Sequence, residues 1–206
     1  MRGKFITLEG IEGSGKTTQL DFIVDYIKKS SIDVVCTREP GGTLVGEKIR
    51  EILLDNDLPK MHSDTELMLM FAARVEHIKQ VIEPALNNGS WVVSDRFYDA
   101  TYAYQGYGRD ISLHHIDQLR SFSVGTLEPD VTFLLDVSLD VSMQRVTSRG
   151  NKDRFENEKM DFYKKVRDGY LSIAKHNSER VCLIDANQEI SDVQLDIQRQ
   201  LDRLFE

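Results

Sequence analysis

The sequence predicts a single α/β domain over residues 1–206, with a parallel β-sheet flanked by helices. Short β-branched segments alternate along the chain with longer segments of helical periodicity, which is typical of this fold class. None of the strand candidates alternates cleanly between apolar and polar residues, which favours strands covered on both faces. The candidates are residues 4–9, 33–37, 91–95, 131–136 and 180–185. Ligands of such sheets bind at the carboxyl ends of the strands, so the polar residues found there are candidate site residues.

The first strand candidate leads directly into a glycine-rich loop. Residues 10–17, GIEGSGKT, fit the pattern G-x-x-x-x-G-K-S/T. Apolar residues then recur at helical spacing, at Leu20, Ile23, Val24 and Ile27. Such a turn before a helix presents backbone N–H groups and the positive helix end to an anion. The pattern therefore predicts a nucleoside triphosphate site, with Lys16 at the β- and γ-phosphates and the Thr17 hydroxyl on Mg²⁺.

The third strand candidate ends at Asp95, which is followed by Arg96. An aspartate facing a phosphate loop is placed to bind Mg²⁺ through water, and the adjacent arginine can bind a phosphate through two N–H groups. An isolated Asp-Arg pair is more often a surface ion pair, but the phosphate loop on the same sheet favours the functional interpretation. Asp136, which ends the fourth candidate, fits either Mg²⁺ organisation or the anchoring of a nearby loop, and we assign it no catalytic role.

A basic segment at residues 149–154, RGNKDR, lies between two helical patterns. A kinase needs a lid that keeps water away from the γ-phosphate, and arginines on that lid would stabilise transition-state charge when it closes. A solvated loop between helices can have the same composition. The composition of the segment therefore leaves both interpretations open.

Charge and hydropathy narrow the choice of partners. The net charge of −8 disfavours nucleic acid or an anionic membrane as the main partner. No apolar run approaches the length of a membrane span, and the first residues lack a signal-peptide core, so we expect a cytoplasmic protein. Cys36 and Cys182 lie in apolar, strand-like runs, which predicts two buried, reduced thiols.

Two helix starts are predicted from capping boxes, in which a serine is followed three residues later by a glutamate or glutamine. These pairs are Ser63 with Glu66 and Ser191 with Gln194. The last helix is predicted from one apolar stripe, formed by Val193, Ile197, Leu201 and Leu204.

Six motifs occur in the order in which they occur in bacterial thymidylate kinases, and the chain resembles that family from its first strand to its last helix. They are residues 10–17 with Glu12 in the loop, 37–42, 71–74, 95–97, 104–106 and 153–156. The resemblance implies the reaction ATP + dTMP → ADP + dTDP, dependence on Mg²⁺, and a homodimer. It also implies a P-loop fold with a five-stranded parallel sheet flanked by helices and a short mobile lid at about residues 149–158.

The resemblance further implies sets of site residues. The ATP phosphates would be bound by Gly10, Ile11, Glu12, Gly13, Ser14, Gly15, Lys16, Thr17 and Thr18. The catalytic set would be Lys16, Asp95, Arg96, Arg149 and Arg154, and Mg²⁺ would be held by Thr17 and Asp95. In this family a phosphate loop without arginine goes with arginines on the lid, and this chain has both features. That pairing favours the lid interpretation of residues 149–154.

The implied acceptor site is built from polar side chains that suit each part of dTMP. Glu12 would face the sugar, where a carboxylate can accept a hydrogen bond from a hydroxyl. Arg50 and Arg96 would hold the dTMP phosphate for in-line attack. Arg74 would donate to a thymine carbonyl, and the Gln105 amide would pair with an N–H and a carbonyl group.

Two further residues are implied beside the base. Thr101 would stand where the family often has a small hydroxyl residue, and Met70 stands where the family commonly has a phenylalanine that stacks on thymine. A thioether can contact a ring face with about 0.3–1.5 kcal/mol, so the pocket can tolerate the exchange. Phe71 would point about a quarter-turn away on a helix and would not replace the missing ring.

Other functions remain open at this point. The chain could phosphorylate another nucleoside monophosphate or a nucleoside, and Arg74, Thr101 and Gln105 are what favour dTMP. A GTPase is disfavoured because no aspartate is followed by glycine three positions later. A nucleotide-binding regulatory module without catalysis is disfavoured by the intact set Lys16, Thr17, Asp95 and Arg96. A module that never transfers phosphate has less need of arginines that hold an acceptor phosphate.

Overall fold

The computed structural model describes residues 2–148 and 153–205. Its sheet has five parallel strands in the order β2-β3-β1-β4-β5, which confirms the predicted α/β fold with a parallel sheet. The strands are β1 (Phe5–Glu9), β2 (Val34–Arg38), β3 (Trp91–Asp95), β4 (Val131–Asp136) and β5 (Val181–Asp185). Each predicted strand segment overlaps one of them; four of the ten predicted ends differ by one residue and the other six agree.

Helices connect the strands and cover the sheet. They are α1 (Lys16–Lys29), α2 (Leu44–Leu54), α3 (Ser63–His77), α4 (Glu83–Asn87), α5 (Tyr98–Thr101), α6 (Leu113–Ser123), α7 (Leu139–Thr147), α8 (Met160–His176) and α9 (Ile190–Asp202). Two π-helical segments extend this set, Ile78–Ile82 between α3 and α4, and Tyr102–Gly108 after α5. No helix in the described part of the chain is both long enough and apolar enough to cross a membrane.

The core lies on both faces of the sheet because successive side chains of a strand point to opposite faces. Ile6, Leu8 and Val93 pack in one buried cluster with α1, α8 and α9. Phe5 and Val92 pack in the other, with α3, α4 and α6. Burial on both faces explains why these strands show no alternation between apolar and polar residues.

Strand β1 occupies the middle of the sheet, and its position sets the position of the site. Leu8 pairs in register with Asp95 of β3 on one side and with Phe133 of β4 on the other. The loop that follows β1 therefore emerges between the carboxyl ends of two neighbouring strands. Residues from the ends of β3 and β4 are brought beside it, as the general rule for such sheets requires.

Both predicted capping boxes are wrong. Helix α3 has His62 at its N-cap and already includes Ser63, and α9 has Glu189 at its N-cap and already includes Ser191. Neither N-cap side chain accepts a capping hydrogen bond. Glu66, the supposed partner of Ser63, is instead buried among arginines.

The prediction of buried cysteines is also wrong. Cys36 is exposed and Cys182 is partly exposed, because β2 and β5 are the two edge strands of the sheet. Both thiols are free, as predicted. The apolar stripe of the last helix is confirmed for Val193, Ile197 and Leu201, whereas Leu204 follows the end of α9 and is only half-buried.

Candidate active site

The glycine-rich loop forms the strand-to-helix turn that the sequence predicts. Gly10, Gly13 and Gly15 all have positive φ angles, of 141°, 72° and 93°. At Gly13 a Cβ atom would lie 2.6 Å from the Ser142 carbonyl oxygen, so the loop passes too close to α7 for any side chain there. Glycine is thus required at this position by both backbone angle and space.

Lys16 is buried in this loop, where its Nζ donates to the carbonyl oxygens of Gly10, at 3.0 Å, and Ile11, at 3.1 Å. Burial, together with the nearby Arg96 charge, lowers the pKa of Lys16 from 10.5 to about 8 against the opposing effect of Asp95. A phosphate would restore the charged form, because an opposite charge favours the protonated amine. The lysine is therefore held beside the position a phosphate would take.

The loop forms one end of an open cleft. The predicted site residues that line it are Glu12, Gly13, Gly15, Lys16, Thr17, Arg50, Met70, Arg74, Asp95, Arg96, Thr101 and Gln105. Predicted residues that lie in the loop or in α1 without lining it are Gly10, Ile11, Ser14 and Thr18. The fold thus brings residues from the loop after β1, from α1, β3, α2 and α3, and from α5 and the segment after it into one cavity.

Arg96 lies at the centre of the cleft, with φ of 69°, an angle uncommon for a residue with a side chain. Its Nη1 donates to the Gly10 carbonyl at 3.1 Å and to the Tyr170 hydroxyl at 3.0 Å. Its Nη2 donates to Glu12 Oε1 at 2.9 Å and to the Tyr104 hydroxyl at 3.0 Å. Tyr104 in turn donates to Glu12 Oε2 at 2.6 Å, so the guanidinium has a fixed plane.

Glu9 is a buried carboxylate of this network that sequence reasoning missed. Its Oε1 accepts from the Phe97 backbone N–H at 2.7 Å, and its Oε2 accepts from the Tyr170 hydroxyl at 2.6 Å. Burial raises the pKa of Glu9 to about 7, and the Asp99 charge adds to that rise. A glutamate ending an apolar strand just before the glycine-rich loop was the signal that could have identified it.

The opposite end of the cleft holds a chain of polar side chains, which are buried except for the half-buried Thr37. Thr37 Oγ1 and His77 Nε2 are 2.6 Å apart, and His77 Nδ1 lies 2.9 Å from Glu39 Oε1. Arg74 Nε donates to Glu39 Oε2 at 2.7 Å, and its Nη2 donates to the Phe97 carbonyl at 3.2 Å. Arg74 Nη1 is buried without a hydrogen-bond partner among the described residues, which fits a donor reserved for a ligand.

Side chains around Arg74 agree with the predicted helix geometry. Met70 lines the cleft one turn before Arg74, whereas Phe71 is buried in the core. The Arg74 guanidinium lies 5.0 Å from the Phe71 ring centroid, so this ring supports the arginine and does not face the cavity. The Thr101 hydroxyl is buried and lacks a hydrogen-bond partner in the described part of the chain.

The other arginines predicted for the phosphate end and the lid, Arg50, Arg149 and Arg154, do not all line the cleft. Arg50 of α2 lines the cleft and donates from Nη1 to the Pro40 carbonyl at 2.9 Å. Arg154 does not reach the cleft, because it donates to the Leu53 carbonyl at 2.8 Å and lies 2.7 Å from a Glu66 oxygen. Arg149 lies outside the described residues.

A divalent cation would find suitable donors beside the loop. Asp95 Oδ1 is buried and has no hydrogen-bond partner within residues 2–148 and 153–205, and Thr17 lines the same cleft. Over those residues no group of three or more His, Cys, Asp or Glu side chains is arranged to hold a metal ion. This donor set fits Mg²⁺, which binds through one or two carboxylates together with substrate phosphates and water.

Helix α7 contributes two contacts to the loop that sequence reasoning missed. Ser142 donates to the Glu12 carbonyl at 2.7 Å, and Arg145 donates to the Gly13 carbonyl at 3.1 Å. Asp136 has a separate role, since it forms a two-point ion pair with Arg167 of α8 at 2.6 and 2.8 Å. That pair ties β4 to α8 and gives Asp136 a structural role.

Known proteins with similar sequences share one description. A family described as thymidylate kinase matches residues 8–197. A thymidylate kinase of Ruthia magnifica subsp. Calyptogena magnifica is 55% identical over 189 residues, which are 92% of each chain. A thymidylate kinase of Nitrosospira multiformis is 49% identical over 205 residues, the full length of both chains. The crystal structure of thymidylate kinase from Ehrlichia chaffeensis matches with a TM-score of 0.79 and 37% identity, over 98% of this chain and 99% of that chain.

Proposed function

Because the chain belongs to the thymidylate kinase family and so phosphorylates dTMP to dTDP with ATP, we propose that the transfer takes place in the cleft between the glycine-rich loop and Arg74. The observation that carries this assignment is that one cavity joins a phosphate loop to a buried, unpartnered arginine donor. A site for a nucleotide acceptor needs one end that binds its phosphate and another end that binds its base. The regulatory-module alternative gains no support from the family relationship.

At the donor end, the backbone N–H groups of residues 10–18 and the start of α1 bind the ATP phosphates. Lys16 exchanges its bonds to the Gly10 and Ile11 carbonyls for bonds to phosphate oxygens. The exchange returns a full positive charge to the buried amine, where it stabilises the negative charge of the transferring phosphoryl group. Thr17 and Asp95 would hold Mg²⁺, which would neutralise charge on the donor phosphates.

At the acceptor phosphate, Arg96 and Arg50 bind the dTMP oxygens and orient one of them for in-line attack on the γ-phosphorus. The bond from that phosphorus to the β,γ-bridging oxygen breaks as the new P–O bond forms. The tyrosine hydroxyls on Arg96 hold its plane, so little reorganisation is needed. Glu12, on the same guanidinium, faces the sugar hydroxyl.

At the base, Arg74 donates to the thymine O4 carbonyl from its free Nη1, and Gln105 pairs with the adjacent edge. Thr101 lies beside the ring and Met70 contacts one ring face through its thioether. The two ends of the cleft thus recognise the base and the phosphate of one nucleotide.

The lid function of residues 149–158 is part of the proposal. Asp153, Phe155 and Glu156 line the cleft, which supports a lid function for the second half of this segment. Arg154 leaves Glu66 and the Leu53 carbonyl when the lid closes on ATP, and Arg149 acts beside it. Both arginines then stabilise charge on the transferring phosphoryl group.

We further propose that the enzyme is a cytoplasmic homodimer whose partners are its nucleotides, with no nucleic acid or membrane partner. Support for self-association comes from exposed apolar side chains on the adjoining helices α2, α3 and α6. They are Leu44, Val45, Ile52, Met68, Leu113 and Phe122, with Phe122 89% exposed. Sedimentation equilibrium of the full chain tests the oligomeric state, and a monomer at micromolar concentration contradicts it.

The function is tested by ADP formation with Mg-ATP and a panel of dTMP, dUMP, dCMP, dGMP, AMP and thymidine. Turnover with dTMP above dUMP and little with the others supports the site as assigned. Turnover with a different acceptor contradicts the assignment of the base end, although the phosphate end would stand. ATP binding with no turnover on any acceptor would favour the regulatory module.

A further inference from the structure

Glu66, on the first turn of α3, is a buried carboxylate with an unusual set of partners. Its side chain is 1% exposed. Gln105 Nε2 donates to Oε1 at 2.9 Å, and Arg109 donates to Oε1 from Nε and to Oε2 from Nη2, both at 3.3 Å. Arg154 Nη2 lies 2.7 Å from Oε2. The Glu66 carboxylate therefore links α3 to three other parts of the chain. They are the π-helical segment Tyr102–Gly108, Arg109 directly after that segment, and Arg154.

Arg109 and Arg154 lie within ion-pair distance of this carboxylate, at 3.3 and 2.7 Å, so its two oxygens are surrounded by donors. An ionised carboxylate only accepts hydrogen bonds. Gln105 must then present its NH₂ group to Glu66, and its amide oxygen is turned the other way. Gln105 itself lines the cleft.

We propose that Glu66 is a positioning residue that makes Gln105 an acceptor toward the base. This inference rests on the proposed function, in which Gln105 contacts thymine. A fixed acceptor suits the N3–H donor of thymine, while Arg74, eight residues further along α3, supplies the donor for O4. Cytosine presents a lone pair at N3 and an amino group at C4, so the same pair of protein groups rejects it.

Glu66 acts through Gln105 in this account, so its removal has a specific signature. In E66Q the side chain at position 66 can donate as well as accept, and the Gln105 amide is free to take either orientation. We expect KM for dTMP to rise about tenfold, as for the loss of one well-placed hydrogen bond, with kcat and KM for ATP within about twofold of wild type. The inhibition constant of dCMP should not rise in parallel with KM for dTMP. A fall in kcat with an unchanged KM for dTMP would overturn the proposal.

A double-mutant cycle separates positioning from a structural role. Q105A should raise KM for dTMP, and adding E66Q to Q105A should raise it by less than about twofold more. Full additivity would mean that Glu66 acts independently of Gln105 and would overturn the inference. If Q105A alone leaves dTMP affinity unchanged, the base-reading role in the proposed function fails instead. The two failures are thus distinguishable.

Asp99 offers a matched control, because it is also a buried carboxylate paired with an arginine, Arg180, at 2.7 and 3.0 Å. It does not line the cleft. D99N should lower the melting temperature without raising KM for dTMP. An equal rise in KM for dTMP in D99N and E66Q would indicate general loosening of the fold and would overturn the positioning role.

A measurement on the wild-type enzyme covers the case in which E66Q does not fold. The side-chain NH₂ resonances of Gln105, assigned by their loss in Q105A, report on the bond to Glu66. They should exchange slowly with solvent and keep their shifts when dTMP is added, because the NH₂ group faces Glu66 and not the base. A large shift of these protons on dTMP addition would show that the NH₂ group contacts the base, and the proposal would be wrong.

Discussion

Lys16 Nζ lies 3.0 Å from the carbonyl oxygen of Gly10, so before phosphate binds the lysine is held by its own loop. Carbonyl dipoles stabilise a buried ammonium less well than water does, which is consistent with the lowered pKa of about 8. The same bonds keep the amine at the place where it is needed. The loop thus holds Lys16 in position, and in this position a fraction of the lysine is neutral near pH 7 to 8.

This relationship predicts proton uptake when ATP binds. Near pH 8 about half of Lys16 is neutral in the free enzyme, and phosphate oxygens should raise its pKa and recharge it. Calorimetry of ATP binding at pH 8, in two buffers of different ionisation enthalpy, should give different apparent enthalpies. The difference should shrink at pH 6.5, where the amine is already protonated. Equal enthalpies in the two buffers at pH 8 would contradict the prediction.

The raised pKa of Glu9 predicts that the stability of the fold depends on pH. Its pKa in the folded protein, about 7, lies above the usual 4.5, so the folded state binds the proton more tightly than the unfolded state. The resulting stabilisation is complete below pH 4.5 and is lost as the pH rises through 7, by up to about 3 kcal/mol. E9Q should flatten the change in the free energy of unfolding between these pH values, measured by urea titration.

Y170F provides a second arm of the Glu9 test. The Tyr170 hydroxyl donates to Glu9 and lowers its pKa, so removing that hydroxyl should move the loss of stability to higher pH. A pH profile that is unchanged in both variants would mean that Glu9 does not titrate in this range.

Gly13 predicts a steric coupling between the loop and α7. In G13A the new Cβ would meet the Ser142 carbonyl oxygen at 2.6 Å, with φ at 72°. The combined strain and overlap should cost about 3 kcal/mol and greatly weaken ATP binding. G125A is the matched control, because Gly125 has φ of 63° with no atom within 4 Å of the added Cβ. It should cost about 1 kcal/mol and leave ATP affinity unchanged. Equal effects on ATP affinity would contradict the coupling.

Met70 predicts a contact with the base that does not depend on the thymine methyl group. M70A should raise KM about fivefold for both dTMP and dUMP with little change in kcat, since about 1 kcal/mol of contact with the ring face is lost. M160A removes a methionine that is 42% exposed on α8 and should leave both KM values unchanged. A change in kcat alone would show that Met70 does not contact the base in the ground state.

Local sequence determined the phosphate loop and the sheet. Residues 10–17 form their turn because the glycines, the lysine and the following helix are consecutive, so no distant contact is needed to interpret them. Apolar strands such as β4 were predicted for the same reason, since burial on both faces leaves a continuous apolar signal. The acidic and basic residues at strand ends, Asp95 and Arg96, followed from the rule that ligands bind there.

Strand order and side-chain partners were decided only by the tertiary structure. Cys36 and Cys182 looked buried because their runs are apolar, but their strands form the two edges of the sheet, and edge position depends on pairing between distant segments. Glu66 looked like half of a capping box, but residues up to 88 positions away converge on its carboxylate. Periodicity and capping signals are local, whereas the free energy of a buried charge depends on which charges the fold places beside it.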